Sequence, residues 1–170
     1  SAKVFVENSP KILFSVQACI ESIRYQEQMQ DDISGQILFI NDQKFVYGGE
    51  LYDSFELIKE YLKKEYSLNG TYKVSVYDDE LEQNVDVQVD EVEFIRGTNI
   101  KEIKKKAVEL AFNTGKVKVL LGSSSIKEGI NLQGMNDKSR GVKHGTSTIY
   151  VLTPDYQPMP FMQLEGRAWR

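Results

Sequence analysis

The apolar positions of this chain follow two periods that alternate along its length. Apolar residues between positions 12 and 23 recur three or four positions apart, which predicts a helix. Ser9 and Pro10 precede them as a typical helix start, and we expect the helix to run to about Gln28. A strand is predicted over residues 36–40, because four consecutive apolar residues are typical of a strand covered on both faces.

The rest of the chain repeats this alternation. Helical spacing predicts one helix from Leu51 or Phe55 to about Tyr66 and another over residues 100–113, capped by Thr98 and Asn99. A period of two predicts a hairpin over residues 72–89. The remaining predictions are loops over residues 43–50 and 134–145, strands over 92–95, 117–121 and 148–152, and a helix beginning in 161–170.

Helices that alternate with apolar strands are typical of an open, mostly parallel α/β sheet with helices on both faces. The hairpin is then an acidic elaboration of that sheet. Ligands of such sheets bind where the carboxyl ends of the strands lead into loops. The sequence predicts three such loops, over residues 41–42, 122–125 and 153–160.

Composition indicates one globular domain and excludes several classes of protein. The chain has 170 residues, of which 41% are hydrophobic and 27% charged. With 21 basic and 25 acidic side chains the net charge is −4, which argues against a basic nucleic-acid coat. Cys19 and His144 stand alone, so a disulfide scaffold and a Cys/His zinc site are both excluded. No apolar run approaches the roughly 18 residues of a membrane helix, and we expect a cytoplasmic protein.

Two stretches have unusual charge. Residues 78–93 contain eight acidic side chains and no Lys or Arg, which suits either a metal cage or a solvated edge that discourages strand pairing. We favour the solvated edge. Lys101, Lys104, Lys105 and Lys106 share the helix predicted over residues 100–113, and we favour a solvated face over a nucleic-acid track.

The chain lacks the loops that would let it do common chemistry alone. It has no Gly-x-x-x-x-Gly-Lys-Ser/Thr phosphate loop, no Gly-x-Gly-x-x-Gly dinucleotide turn and no Gly-x-Ser-x-Gly nucleophile elbow. Residues 117–133 instead lead from a buried strand into Ser123, Ser124 and Ser125. Hydroxyls and backbone amides at a strand end can bind phosphate oxygens, although a plain serine-rich turn is the alternative.

A second candidate segment covers residues 163–170. Arg167 and Arg170 are three positions apart, so on a helix both guanidinium groups lie on one face and can reach the same anion. A solvated arginine pair is the alternative.

Taken together and in this order, the segments resemble motifs V and VI of superfamily-two helicases and translocases. Residues 128–132, Glu-Gly-Ile-Asn-Leu, match the first motif, and residues 163–170, Gln-x-x-Gly-Arg-x-x-Arg, match the second. Residues 35–40 resemble motif IV, and residues 112–121 are similar to the approach to motif V in the Swi/Snf-type branch. Within that branch the chain looks most like the helicase modules of bacterial methylase-helicase fusion proteins.

This resemblance implies that residues 1–170 are the second RecA-like lobe of a larger motor, ending within motif VI. ATP would lie between two lobes, with Mg²⁺ held by the first lobe and DNA crossing both. Arg167 and Arg170 would be the catalytic arginine fingers. The other implied site residues are Gly129, Asn131 and Gln163 at the nucleotide and Ser123, Ser124, Ser125 and Lys127 at the nucleic-acid backbone.

Two other functions stay open. One is a non-catalytic nucleic-acid-binding or docking module with a helicase-like fold, which a phosphate loop upstream of Ser1 would argue against. The other is a small-molecule enzyme on an unrelated α/β sheet, which would need a convergent polar pocket that the sequence does not indicate. The isolated chain is expected to lack ATPase activity.

Overall fold

The computed structural model describes residues 1–29, 35–40, 44–96, 101–122 and 149–151, the last three by their backbone alone. Its helices are α1 (Ala2–Glu7), α2 (Pro10–Gln28), α3 (Ser54–Glu65) and α4 (Glu102–Asn113). Its strands are β1 (Gln36–Phe39), β2 (Lys44–Tyr47), β3 (Glu50–Asp53), β4 (Thr71–Asp78), β5 (Gln83–Asp90), β6 (Val92–Ile95), β7 (Val119–Gly122) and β8 (Ile149–Val151). The described chain is therefore mixed α/β, as predicted.

A parallel sheet forms the centre, with the strand order β6-β7-β1-β8. All four residues of β1 and of β7 are buried, as continuous apolar strands require. The two remaining sheets are antiparallel pairs, β2 with β3 and β4 with β5. The predicted combination of parallel strands with an added hairpin is thus confirmed.

The two faces of the parallel sheet have separate cores because successive side chains point to opposite sides. Leu38 and Leu121 belong to the core that α1, α2 and α3 cover. Ile37 and Leu120 belong to the core that α4 and the β4–β5 pair cover. The described helices therefore lie on both faces of the sheet.

The first helical region is longer than its apolar stripe. Helix α2 has the predicted bounds, and Val16, Ile20 and Ile23 are buried as expected. The Ser9 hydroxyl, however, donates to the Phe5 carbonyl at 2.8 Å and makes no cap of α2. Ser9 bonds to Phe5 because a further helix, α1, precedes α2. The sequence did not predict α1 because its six residues are too few to show a helical period.

The loop predicted over residues 43–50 is wrong. Those residues include β2 and the start of β3, which pair antiparallel around Gly48 and Gly49. Both glycines have positive φ, 60° and 81°, which suits a two-residue hairpin turn whose twist matches the strands. Leu51 lies in β3, so α3 begins only at Ser54.

The hairpin predicted over residues 72–89 is confirmed as β4 and β5, joined by a turn over residues 79–82. Val74 and Val89 are buried against α4 in the second core. In the turn, Asp78 Oδ1 accepts hydrogen bonds from the backbone N–H groups of Glu80 and Leu81. This local acceptor holds the turn without a glycine, although Glu82 has a φ of 52°.

The remaining elements lie close to their predicted positions. Strand β6 has the predicted bounds, and β7 covers Val119–Gly122 where residues 117–121 were predicted. Helix α4 begins at Glu102 after Lys101, and the predicted caps Thr98 and Asn99 lie outside the described residues. The helix predicted to begin in residues 161–170 and the loop predicted over 134–145 also lie outside them.

Candidate functional site

The carboxyl ends of the four parallel strands lie in one row. Phe39 at the end of β1 is in register with Gly122 of β7 on one side and with Val151 of β8 on the other. Ile95 at the end of β6 is in register with Gly122. The predicted loops over residues 41–42, 122–125 and 153–160 therefore follow three neighbouring strands along one edge.

The strand order reverses at β1. After β1 the chain passes through α3 to β6, the outermost strand on one side, and then through α4 to β7, which lies between β6 and β1. Strand β8 lies on the other side of β1. The first strand of the sheet thus lies between two later ones. In open α/β sheets, ligands bind outside the carboxyl ends of the strands where the order reverses in this way.

The predicted site residues follow the strands of this edge in sequence, but they lie outside the residues that the structure describes. Ser123 comes directly after the last residue of β7, and residues 152–170 follow β8. All nine site residues lie outside the described part of the chain: Ser123, Ser124, Ser125, Lys127, Gly129, Asn131, Gln163, Arg167 and Arg170. What the structure gives is the position of the strands from which those segments begin.

One charged residue at this edge was not anticipated. Arg96 follows β6 directly, and its guanidinium pairs with Asp53 Oδ1. The guanidinium carbon also lies 5.1 Å from the Phe55 ring centroid and 4.8 Å from that of Phe94, distances that favour cation–π attraction. A lone arginine after a strand carries no periodic signal, so only the tertiary structure could show this contact.

Asp53 has a second role at the same position. Its Oδ1 accepts hydrogen bonds from Phe55 N at 3.0 Å and Glu56 N at 3.4 Å, which caps the start of α3. One carboxylate therefore joins the last residue of β3, the first turn of α3 and the residue after β6. These contacts hold the carboxyl end of β6 against the start of α3.

The solvated lysine face that the sequence favours is found only in part, because Lys101 is exposed whereas Lys104 and Lys106 have carboxylate partners. Lys104 Nζ donates to the Gln88 carbonyl at 2.7 Å and to Glu93 Oε1 at 3.2 Å. Lys106 Nζ pairs with Asp79 Oδ2 at 3.0 Å, and this carboxylate raises the pKa of Lys106. The acidic hairpin and the lysine-rich helix are thus charge-complementary partners, which neither stretch indicates by itself.

The base of the hairpin is held by three further carboxylate contacts. Lys59 of α3 pairs with Asp90 at 2.8 Å, and Lys118 lies 3.5 Å from Glu91. The Tyr72 hydroxyl donates to Glu91 at 3.1 Å. Burial raises the pKa of Tyr72, and so does its hydrogen bond to the Glu91 carboxylate.

The acidic stretch contains both ion-paired and exposed carboxylates. Asp90, Glu91 and Glu93 each form an ion pair with a lysine, and Glu91 and Glu93 are buried. Among the described residues, no group of three or more His, Cys, Asp or Glu side chains is placed to hold a metal ion. The stretch therefore divides in two: Asp90, Glu91 and Glu93 form ion pairs at the base of the hairpin, whereas the other acidic residues include exposed side chains that fit the favoured solvated edge, namely Glu80, Glu82 and Asp86.

Three aromatic rings stack between α1 and the β2–β3 pair. The ring of Phe45 stacks on Phe5 at 5.5 Å and on Tyr52 at 5.8 Å between centroids. Tyr47, at the end of the same strand, is 75% exposed. The stack attaches the β2–β3 pair to α1, and it is a packing contact.

Comparison with known proteins assigns no family to this chain. No protein-family model matches it, and no curated protein matches it. Within the part of the chain that the structure describes, no helix combines the length and the apolar character needed to cross a membrane.

Proposed function

We propose that this chain is the second motor lobe of an ATP-dependent DNA helicase or translocase, with a RecA-like sheet. In this proposal a first lobe of the same parent protein holds ATP and Mg²⁺, and the nucleic-acid strand crosses both lobes. The parent protein works in the cytoplasm. The proposal combines the order of the sequence motifs with the arrangement of the strands.

The observation that carries the proposal is the register of three strand ends. Phe39, Gly122 and Val151 lie side by side. The segments that resemble motifs IV and V contain the first two of these strand ends, and the segment that resembles motif VI follows the third. A motor lobe needs these segments at one edge, because they act on the same nucleotide and the same strand.

The proposed chemistry depends on charge. The γ-phosphoryl group carries negative charge on its oxygens in the transition state, and a guanidinium group placed against them lowers the barrier. Arg167 and Arg170 supply these groups, and Gln163 orients the segment that carries them. Gly129 and Asn131 line the nucleotide side. Such arginines contribute roughly 10³ to 10⁵ in rate in phosphoryl-transfer enzymes.

The proposed contact with DNA is to phosphates. Ser123, Ser124, Ser125 and Lys127 follow β7 and offer hydroxyls, backbone amides and one ammonium group. Contacts of this kind position a strand without reading its sequence, so binding should depend strongly on salt and little on base composition.

The decisive experiment measures DNA-stimulated ATP hydrolysis by the parent protein. Arg167→Ala and Arg170→Ala should each lower kcat by at least about 10³-fold, because each removes positive charge from the transition state. Arg24→Ala is the matched control, since Arg24 lies on the exposed side of α2 over the Tyr66 ring, away from the edge. Its kcat should be unchanged.

Wild-type hydrolysis in both Arg167→Ala and Arg170→Ala would contradict the motor assignment and favour a non-catalytic binding module. A second measurement uses the 170-residue chain alone. Its ATP turnover should be negligible because the phosphate loop is supplied by the other lobe, and brisk turnover would overturn the proposal.

A further inference from the structure

The turn of the acidic hairpin lies against the lysine-bearing half of α4. Asp78, Asp79 and Glu80 share one groove of about 620 Å³ with Lys101 and Lys106. Asp79 contacts Lys106 directly at 3.0 Å. Four acidic residues lie between positions 78 and 82, and four lysines between positions 101 and 106. Three of these acidic residues and two of these lysines therefore line one groove, together with Glu102.

The hairpin is attached firmly at its base and loosely at its turn. At the base, Val89 is fully buried and the Asp90–Lys59 pair is largely buried, with side-chain exposures of 24% and 19%. At the turn, Asp79 is 75% exposed and Lys106 is 39% exposed. Exposed ion pairs contribute little to stability, so the contact at the turn can exchange with other anions.

A carboxylate beside an ammonium group occupies the place that a backbone phosphate would take. Nucleic acids bind lysine-rich surfaces through such phosphate contacts, with release of counterions. Asp78 and Glu80 line the same groove and repel an approaching polyanion, because charges act over a Debye length of about 8–10 Å. With a neutral turn, Lys106 would lose its Asp79 partner and could contact a phosphate.

We propose that the acidic turn, residues 78–82, is an internal phosphate mimic that masks Lys101 and Lys106 from nucleic acid. The inference rests on the proposed function in one respect, since a DNA motor meets nucleic acid throughout its work. The mask confines the strand to the carboxyl edge of the sheet and prevents a second, unproductive contact on α4.

The test is DNA binding by the full 170-residue chain without ATP, measured by fluorescence anisotropy with a labelled single-stranded oligonucleotide. The variant Asp79→Asn/Glu80→Gln/Glu82→Gln keeps Asp78, because its Oδ1 holds the turn. We expect this variant to bind at least about fivefold more tightly than wild type at low salt. The slope of log K against log salt should steepen by about one ion, because Lys106 becomes available to a phosphate.

Two controls separate masking from net charge. Glu7→Gln/Glu21→Gln/Glu27→Gln removes the same number of charges from exposed positions on α1 and α2, across the sheet, and should leave affinity within about twofold. Adding Lys106→Gln to the neutral turn should abolish most of the gain. An unchanged affinity of the neutral turn, an equal gain in the α1–α2 control, or a gain that survives Lys106→Gln would each overturn the proposal.

A further variant separates this inference from the proposed function. Ser123→Ala/Ser124→Ala/Ser125→Ala tests the edge contact alone. If the serine variant binds DNA as tightly as wild type while the neutral-turn variant binds more tightly, masking is supported and the edge assignment fails. If it weakens wild-type binding while the neutral turn gains nothing, the edge assignment stands and the mask fails.

Discussion

The Arg96 guanidinium pairs with the Asp53 carboxylate, and this contact ties the end of β6 to the start of α3. Because the same carboxylate caps α3, Asp53→Ala removes a helix cap and also the carboxylate that pairs with the partly buried Arg96 guanidinium. We expect a loss of about 2–3 kcal/mol in the free energy of unfolding, measured by urea denaturation.

Asp53→Asn is the matched control for this prediction. It keeps an acceptor oxygen for the cap but loses the charge, so it should cost about half as much as Asp53→Ala. A wild-type free energy of unfolding in Asp53→Ala would show that the joint does not stabilise the domain.

Gly35 precedes β1 in a position that excludes any side chain. A Cβ atom there would overlap the Phe112 ring and lie 2.7 Å from the Val117 carbonyl oxygen. Gly35→Ala should therefore cost about 2–3 kcal/mol, since the packed core must shift. Thermal and urea unfolding would measure this loss.

The control is Gly49→Asn, because Gly49 has open space around it and a φ of 81° that asparagine tolerates. Its cost should stay below about 1 kcal/mol. A further variant, Gly35→Ala with Phe112→Leu, should lose less than the sum of its single changes. Strict additivity would mean that the ring is not the obstacle.

The Asp90–Lys59 pair predicts how stability depends on acid. Burial raises the pKa of Asp90. The hydrogen bond and charge of Lys59, together with the Thr71 hydroxyl, lower the pKa by more than burial raises it, so the pKa lies below the usual 3.8. A lowered pKa in the folded state means that the contribution is complete above about pH 4 and is lost as the pH falls through the folded value.

Lys59→Met should therefore lower stability at neutral pH and flatten its dependence on pH below about 4, in urea titrations at a series of pH values. Lys64→Met is the control, because Lys64 pairs with Glu60 at exposures of 71% and 45%. It should change stability by less than about 0.5 kcal/mol. An equal effect of both variants would contradict a special role for the pair.

Cys19 offers a probe of the first core. It is the only cysteine, it is fully buried, and burial raises the pKa of its thiol well above the usual range. Because thiolate is the reactive form, a thiol reagent should not label the folded protein. Labelling should appear in urea together with the loss of helical signal. Rapid labelling without denaturant would mean that α2 opens readily from the sheet.

The sequence predicted best the elements that carry a clear apolar pattern. Strands β1 and β7 contain continuous apolar runs and helix α2 has an apolar stripe at helical spacing, so their positions differ little from the prediction. Helix α1 and the β2–β3 pair are short and partly exposed, with Val46 at 70% and Leu51 at 69% exposure. Their existence depends on tertiary contacts and on the geometry of two glycines, which periodicity does not record.

The surroundings of the site were predictable in part. The strands that lead to the candidate segments follow from hydrophobic runs, but their order and register follow from long-range pairing. The contact between Asp79 and Lys106 joins residues 27 positions apart, and each lies in a stretch that alone suggests exposure to water. The roles assigned to Ser123, Arg167 and their companions stay predictions.

The carboxyl ends of the parallel strands are aligned, so their relative positions depend on how the strands pack in the core. Each parallel strand advances about 3.3 Å per residue, so a slip of one position would displace a whole segment by that distance and turn its side chains to the wrong face. Leu38 and Leu121 hold that alignment from inside the sheet. Substitutions there would therefore alter the spacing of the segments that follow these strands, and a loop transplanted onto this scaffold would inherit its spacing from the residues beneath it.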